Sequence, residues 1–135
     1  MKVDGGCHCG RIAFEAEVDP AKVLICHCTD CQMLSGGAFR TVVRVPTNAF
    51  KLLSGEPRRY VKQADSGNRL VQAFCGDCGS PIYGSHDGTD PSFYGIRVAT
   101  LRQREALPPK LQIWCRSELP WLADLSNVPK VERHA

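Results

Sequence analysis

A predominantly β domain is the architecture this sequence predicts, and three observations predict it. Several segments alternate apolar and polar residues with a period of two, the mark of a half-buried strand. No window of eleven or more residues carries a convincing helical period. Seven of the eight cysteines fall into three tight clusters, Cys7/Cys9, Cys26/Cys28/Cys31 and Cys75/Cys78, at spacings that let thiols close on one tetrahedral ion. The expectation is a single domain over residues 1–135, long enough for one modest core and too short for two.

The elements follow from alternation and punctuation. From Arg11 to Val18, the residues Ile12, Phe14, Ala16 and Val18 share one face, with Arg11, Glu15 and Glu17 opposite, and Asp19-Pro20 ends the run. The short apolar stretch 22–25 delivers the chain to Cys26. From Ala38 to Val45 alternation returns, placing Phe39, Thr41, Val43 and Val45 on one face and Arg40 and Arg44 on the other. Phe50 to Leu53 leads into the Ser54-Gly55-Glu56-Pro57 turn, and Tyr60-Val61 follows it. Lys62 to Asn68 is polar and reads as an exposed loop. Leu70 to Phe74 leads into the third cysteine cluster. Phe93 to Leu101 and Leu111 to Cys115 read as two late strands, and Ser117 to Asp124 as one helical turn around Pro120-Trp121.

Bulk properties exclude several classes. The 43% hydrophobic and 23% charged content is that of a globular chain, and no apolar run approaches the ~20 residues of a membrane helix. The start, Met1 to Gly6, lacks the apolar region of a secretory signal, so a reducing cytoplasm is expected, where eight cysteines mean metal before disulfides. Formal charge is +3. Seven metal-bound thiols are deprotonated, and with two divalent ions the net charge falls to zero. No Lys/Arg run exceeds Arg58-Arg59, so no nucleic-acid partner is expected.

The clusters differ in what they can build. Seven thiolates make one four-thiolate site and one three-thiolate site with an open corner, and an open site can bind and activate a ligand. In an extended strand, side chains at i and i+2 share a face. Cys7/Cys9 and Cys26/Cys28 therefore point one way, with His8 and His27 turned away. Cys75-Gly76-Asp77-Cys78-Gly79 reads as a zinc knuckle, with Gly79 supplying a positive-φ turn. A thioredoxin-like pair would need a βαβ context that is not visible. Two partitions stay open: Cys7/Cys9 with Cys75/Cys78, or Cys7/Cys9 with Cys26/Cys28. The compact triplet Cys26/Cys28/Cys31 favours the first, since it surrounds three corners of one ion by itself.

Four ordered motifs carry a family resemblance: Gly6-Cys7-His8-Cys9-Gly10, Cys26-His27-Cys28-Thr29-Asp30-Cys31, Ser35-Gly36-Gly37-Ala38-Phe39 and Phe74-Cys75-Gly76-Asp77-Cys78-Gly79-Ser80-Pro81. Phe50-Lys51-Leu52, Gly55, Tyr60, Ile113-Trp114 and Pro120-Trp121 match as well. The chain resembles the glutathione-dependent formaldehyde-activating enzyme family, whose domain is shared with centromere protein V, over a core of about residues 3–122, leaving a tail at 123–135. The resemblance implies an all-β, mainly antiparallel β-tent fold clamped by two zinc ions. It implies Cys7, Cys9, Cys75 and Cys78 as structural zinc ligands, and Cys26, Cys28 and Cys31 as ligands of a second, catalytic zinc. The activity implied is carbon–sulfur lyase chemistry on a thiol–aldehyde adduct, of the S-(hydroxymethyl)glutathione synthase type, with a small-molecule thiol such as glutathione and an aldehyde as partners. The chain departs from the pattern in its shortness and at Gln32, where family members commonly carry Arg or Lys.

Beyond the metal ligands the residues single out no catalytic group. Asp30 reads as a loop carboxylate, and Arg40 and Arg44 as a solvated strand face or a contact for a substrate carboxylate. The competing class is a binding module in which both zincs are structural and Cys115 completes the second set. Leu111, Ile113 and Cys115 share a strand face, which favours burial of Cys115 as packing. A methionine sulfoxide reductase would need a reactive free cysteine, and the residues around Cys115 do not resemble that family.

Overall fold

The computed structural model describes residues 1–88 and 91–134; residue 135, the end of the expected tail, lies outside the described residues. The segment after Arg11 forms β2 (Ala13–Glu17), and Ile12, Phe14, Ala16 and Val18 are all buried as the alternation requires. It pairs antiparallel with β1 (Lys2–Gly6), a strand the sequence did not announce, since paired glycines weaken a strand pattern. Both glycines are there for close approach. A Cβ on Gly5 would lie 2.3 Å from the Thr100 carbonyl oxygen, and one on Gly6 2.3 Å from that of Ile12.

Two further strands and a helix follow. The apolar stretch before Cys26 forms β3 (Val23–Cys26). The cysteine triplet leads into α1 (Thr29–Ser35), too short to register as a helical period. Its end is set by Gly36 at φ 69°, a conformation glycine adopts without strain. The second alternating segment is β4 (Arg40–Pro46), and β5 (Phe50–Ser54) adds to β2 to close a three-stranded sheet in the order β1-β2-β5.

The remaining strands are β6 (Arg58–Gln63), β7 (Arg69–Phe74), β8 (Pro81–His86), β9 (Phe93–Arg97) and β10 (Leu111–Ile113). The second sheet runs β10-β3-β4-β9-β8-β7-β6. Its ladders are antiparallel except β10 on β3, which is parallel. The fold is all-β and mainly antiparallel, as expected. Val3 and Phe14 from the small sheet pack with Val43, Val45, Ile82 and Ile96 from the large one. Each such side chain contributes on the order of 1.5–3 kcal/mol by leaving water. Phe50 stacks on Phe14 at 5.1 Å and meets Tyr83 and Tyr94.

Four expectations are corrected. Lys62 and Gln63 belong to β6 and pair with β7, so the polar loop starts later; β6 is an edge strand, where Gln63 meets solvent and Lys62 pairs with Asp30. β9 stops at Arg97, and a 3-10 turn (Val98–Thr100) carries the chain on. Arg40 is not on a solvated face: it is 5% exposed, because Leu24, Cys26 and Val42 form a second apolar cluster with Cys28, Cys31 and Ile113 that covers that side of β4. Arg44, on the same face, is exposed and lies over the Phe93 ring at 5.1 Å. Cys115 is exposed rather than packed. Trp114 at φ 57° breaks β10 and throws Cys115 into a 3-10 turn (Cys115–Ser117). The expected turn around Pro120-Trp121 is present as a 3-10 helix (Pro120–Ala123). Among the described residues no helix is long and apolar enough to cross a membrane.

Candidate metal centres

The first cluster is assembled by two hairpin turns from different sheets. Cys7 and Cys9 lie in the turn between β1 and β2; Cys75 and Cys78 lie in the turn between β7 and β8. All four sulfurs are within 4.8 Å of one another, with Cys7 and Cys9 at 3.5 Å and Cys9 and Cys75 at 3.8 Å. Zn–S bonds of about 2.3 Å give a tetrahedron with edges of about 3.8 Å, so this donor set fits such an ion. Backbone geometry supports the sulfurs. The Ile12 amide donates to Cys7 Sγ at 3.2 Å, and Gly79, at φ 80°, donates its amide to the Cys75 carbonyl at 2.8 Å. Hydrogen bonds from the hydroxyl and then the amide of Ser80 draw the Cys78 thiol down to about 5. The same hydroxyl accepts from the His8 amide at 2.9 Å, linking the two turns.

The second cluster is local. Cys26 ends β3, Cys28 caps α1 and Cys31 sits in its first turn. The Cys31 amide donates to Cys28 Sγ at 3.2 Å, so capping the helix also gathers the sulfurs. Cys26, Cys28 and Cys31 lie within 4.8 Å of one another, and no fourth His, Cys or carboxylate of the described residues joins that set. Hydrogen bonding from Cys31, with help from Cys28 and the charge of Arg40, lowers Cys26 to about 5, while Cys31 is pushed up by the same sharing. One thiolate is thus favoured before any metal binds, and a metal would deprotonate the rest. Arg40 stands directly across the β3/β4 ladder from Cys26.

The sulfurs gather as Cys7/Cys9/Cys75/Cys78 and Cys26/Cys28/Cys31, the first of the two partitions. The strand argument for the first pair did not apply, since Cys7 and Cys9 lie in a turn beyond β1. His8 is exposed. His27 is 2% exposed, edge-on to Phe39 at 5.8 Å, with Nε2 2.7 Å from Gln112 Oε1. It comes together with Cys115 and Glu118, so Cys115 gathers there and not with the triad. Asp30 forms an ion pair with Lys62.

Gln32 has a structural use that the sequence did not suggest. Its amide nitrogen donates to the His27 carbonyl at 2.9 Å and the Ser117 carbonyl at 3.0 Å, tying the triad to the 3-10 turn after β10. Arg97 was missed altogether. It is 9% exposed and shares an acceptor with Arg40, the side-chain oxygen of Gln72. Its signal was available as a lone charge inside the apolar run Gly95-Ile96-Arg97-Val98.

A family model described as glutathione-dependent formaldehyde-activating enzyme matches residues 2–117. Among solved structures, the chain is similar to a crystal structure of a Rhodobacter sphaeroides protein, with a TM-score of 0.61 and 21% identity over 81% of this chain and 98% of that one. That likeness shows a shared fold. The cysteine clusters can hold zinc, and the family match spans every cysteine in them; this chain belongs to the glutathione-dependent formaldehyde-activating enzyme family.

Proposed function

We propose that this protein is a zinc-dependent carbon–sulfur lyase that makes and breaks a thiol–aldehyde adduct, of the S-(hydroxymethyl)glutathione synthase type, acting as one domain in the cytoplasm. Cys7, Cys9, Cys75 and Cys78 would hold a structural zinc and Cys26, Cys28 and Cys31 a second one. The observation that carries the reading is the unequal donor count: four sulfurs meet in one cluster and three in the other, while Cys115 lies elsewhere. A zinc ion bound by three protein thiolates supplies a fourth position that favours the thiolate of an incoming thiol over its protonated form.

The chain's own residues do the positioning. Cys28 and Cys31 are fixed by the α1 cap, and Cys26 by the β3/β4 ladder. Arg40 and Arg97 place positive charge beside this sulfur set: burial lowers the affinity of both guanidinium groups for their protons, and the charges of the nearby thiols offset part of that. In the forward direction the substrate sulfur forms a bond to the aldehyde carbon. The carbonyl π electrons move to oxygen, and the proton lost from the thiol is returned there, giving a hemithioacetal. The reverse sequence breaks the carbon–sulfur bond. Holding sulfur and carbonyl in reacting geometry is the main effect asked of the protein.

The test is zinc-edge absorption on zinc-loaded protein with titration calorimetry in two buffers of different ionisation enthalpy. A bound thiol should add one sulfur neighbour and release a proton. A constant sulfur count with no proton release would remove the lyase reading. A fourth sulfur present before thiol is added, and lost in Cys115→Ala, would make the protein a binding module instead.

A further inference from the structure

Arg40 and Arg97 are the two arginines among the buried polar residues, 5% and 9% exposed. Both donate to one neutral oxygen: Arg40 Nη1 to Gln72 Oε1 at 2.7 Å and Arg97 Nη2 to the same atom at 2.6 Å. Neither forms an ion pair with a carboxylate among the described residues. The Nε atoms of both are buried without a partner. Burying a cation without a paired anion is expensive, and here two are buried side by side. Burial is what pushes both groups down, and for Arg97 the Arg40 charge adds to it, though a guanidinium stays charged in any protein.

The sequence around Arg97 is built to admit it. A Cβ on Gly84 would lie 2.7 Å from Arg97 Nη2, and Gly84 faces Gly95 across the β8/β9 ladder. Two opposed glycines in mid-sheet sacrifice packing and strand propensity; at Gly84 they make room for the guanidinium.

Both arginines also line a cavity of about 650 Å³, with Ser35, Phe39, Thr41 and Thr100 among its other walls. Arg104 and Glu105 line it too, and both are exposed, with opposite charges that offset one another. The bonds to Gln72 use Nη1 of Arg40 and Nη2 of Arg97, which leaves Arg40 Nη2 and Arg97 Nη1 without an acceptor among the described residues. Neither of those atoms is sealed from solvent as the Nε atoms are. The arginine pair lines the cavity, and Arg40 also faces the sulfur triad, since Cys26 sits opposite it on β3.

We infer that the cavity is an anion subsite in which Arg40 and Arg97 together bind a carboxylate carried by the substrate thiol, while its sulfur goes to the Cys26/Cys28/Cys31 centre. This deepens the lyase reading and rests on it for the role of the sulfur. It names the substrate class: a thiol bearing a carboxylate on a short tether. Charge-assisted bonds from two guanidinium groups with little competing water are the strong kind.

The experiment titrates the zinc-loaded full-length protein with mercaptoacetate, 3-mercaptopropionate and mercaptoacetamide, and separately with propionate, following heat and the NMR signals of the arginine side chains. At least one acid should bind about tenfold or more tighter than the amide. Propionate should shift the Arg40 and Arg97 signals, and Arg97→Met should cut the advantage of the acid over the amide by about tenfold and weaken the propionate shift at Arg40. Acid and amide binding equally, with no arginine shift from propionate, would overturn the inference; that result needs no variant to fold. Propionate binding at the arginines while no thiol binds the zinc would leave the anion subsite standing and sink the lyase reading. Thiols binding with equal affinity whatever their charge would do the reverse.

Discussion

Serine at position 78 removes one sulfur from the set that joins the two sheets, and serine at position 31 removes one from the set confined to β3 and α1. The two losses should differ because the closed loops differ. The contact between Cys9 and Cys75 spans 66 residues, whereas Cys26 to Cys31 spans five positions. With loop-closure entropy growing as (3/2)RT ln n, the longer link should stabilise the fold by about 2 kcal/mol more than the shorter one. The binding energy itself adds to this. Structural four-ligand zinc contributes on the order of 10–16 kcal/mol in small peptides at neutral pH, against a total stability of about 5–15 kcal/mol for a domain. Weakening that site therefore threatens the whole fold.

The assay is urea unfolding of each purified variant with zinc counted by mass spectrometry. Cys31→Ser should unfold cooperatively, with a normal denaturant slope and one zinc retained. Cys78→Ser should be less stable than Cys31→Ser by at least the 2 kcal/mol of the loop term, or should be recovered only as insoluble protein. A folded, fully metallated Cys78→Ser protein would refute the structural assignment of the first cluster. Equal destabilisation by the two serines would show that the triad is structural too, and would weaken the case for chemistry there.

Three other outcomes can be checked on the same material. Phe14→Ala empties a fully buried position stacked on Phe50 and should cost about 3–5 kcal/mol by urea unfolding. Gly84→Ala places a methyl group 2.7 Å from Arg97 Nη2; it should leave both zinc ions in place but displace Arg97, seen as a changed arginine side-chain NMR signal. Hydrogen bonds from Arg69, with the nearby charges of Arg69 and Arg59, hold the Asp87 carboxyl below its ordinary range. The stability it contributes is present above the unfolded carboxyl pKa and is lost as pH falls through the lower folded value. The difference between the native protein and Asp87→Asn should shrink to nothing on acidification over about pH 5 to 2.

Alternation was a sufficient guide wherever one face of a strand meets the core and the other meets water, as in β2, where Phe14 and Ala16 are buried and Glu15 and Glu17 are exposed. It failed where both faces are covered. β4 buries Val43 and Val45 against the main core, and Arg40 and Val42 beneath the sulfur triad, so its polar residues said nothing about solvent. β8 was hidden for a similar reason: Pro81, Tyr83 and Gly84 look like turn and linker residues, yet the strand lies inside the large sheet between β7 and β9. α1 was hidden by its length, since seven residues give too few turns for a period to stand out.

The candidate site was legible only where local spacing carries the chemistry. The triad is written in six consecutive residues, and the helix that gathers it is capped by one of its own sulfurs. The four-sulfur cluster needed a choice between partitions, and the β1–β2 and β7–β8 turns bring the sulfurs of the first of them within 4.8 Å of one another. What no spacing could reveal is the set of groups that β10 and β9 bring back to the triad. β10 lies parallel to β3, so the turn after it returns Ser117 to Gln32 across 85 positions, and β9 sets Arg97 beside Arg40 through Gln72. This explains why Gln32 misled. As a substituted anion contact it suggested a weakened substrate site, whereas its amide fastens the cysteine loop to the turn after β10, and the buried positive charge beside the triad comes from β4 and β9. Gln32→Arg would break two hydrogen bonds that hold α1, so the charge it adds should not tighten binding of mercaptoacetate, and an affinity gain there would contradict the role of the Arg40–Arg97 pair.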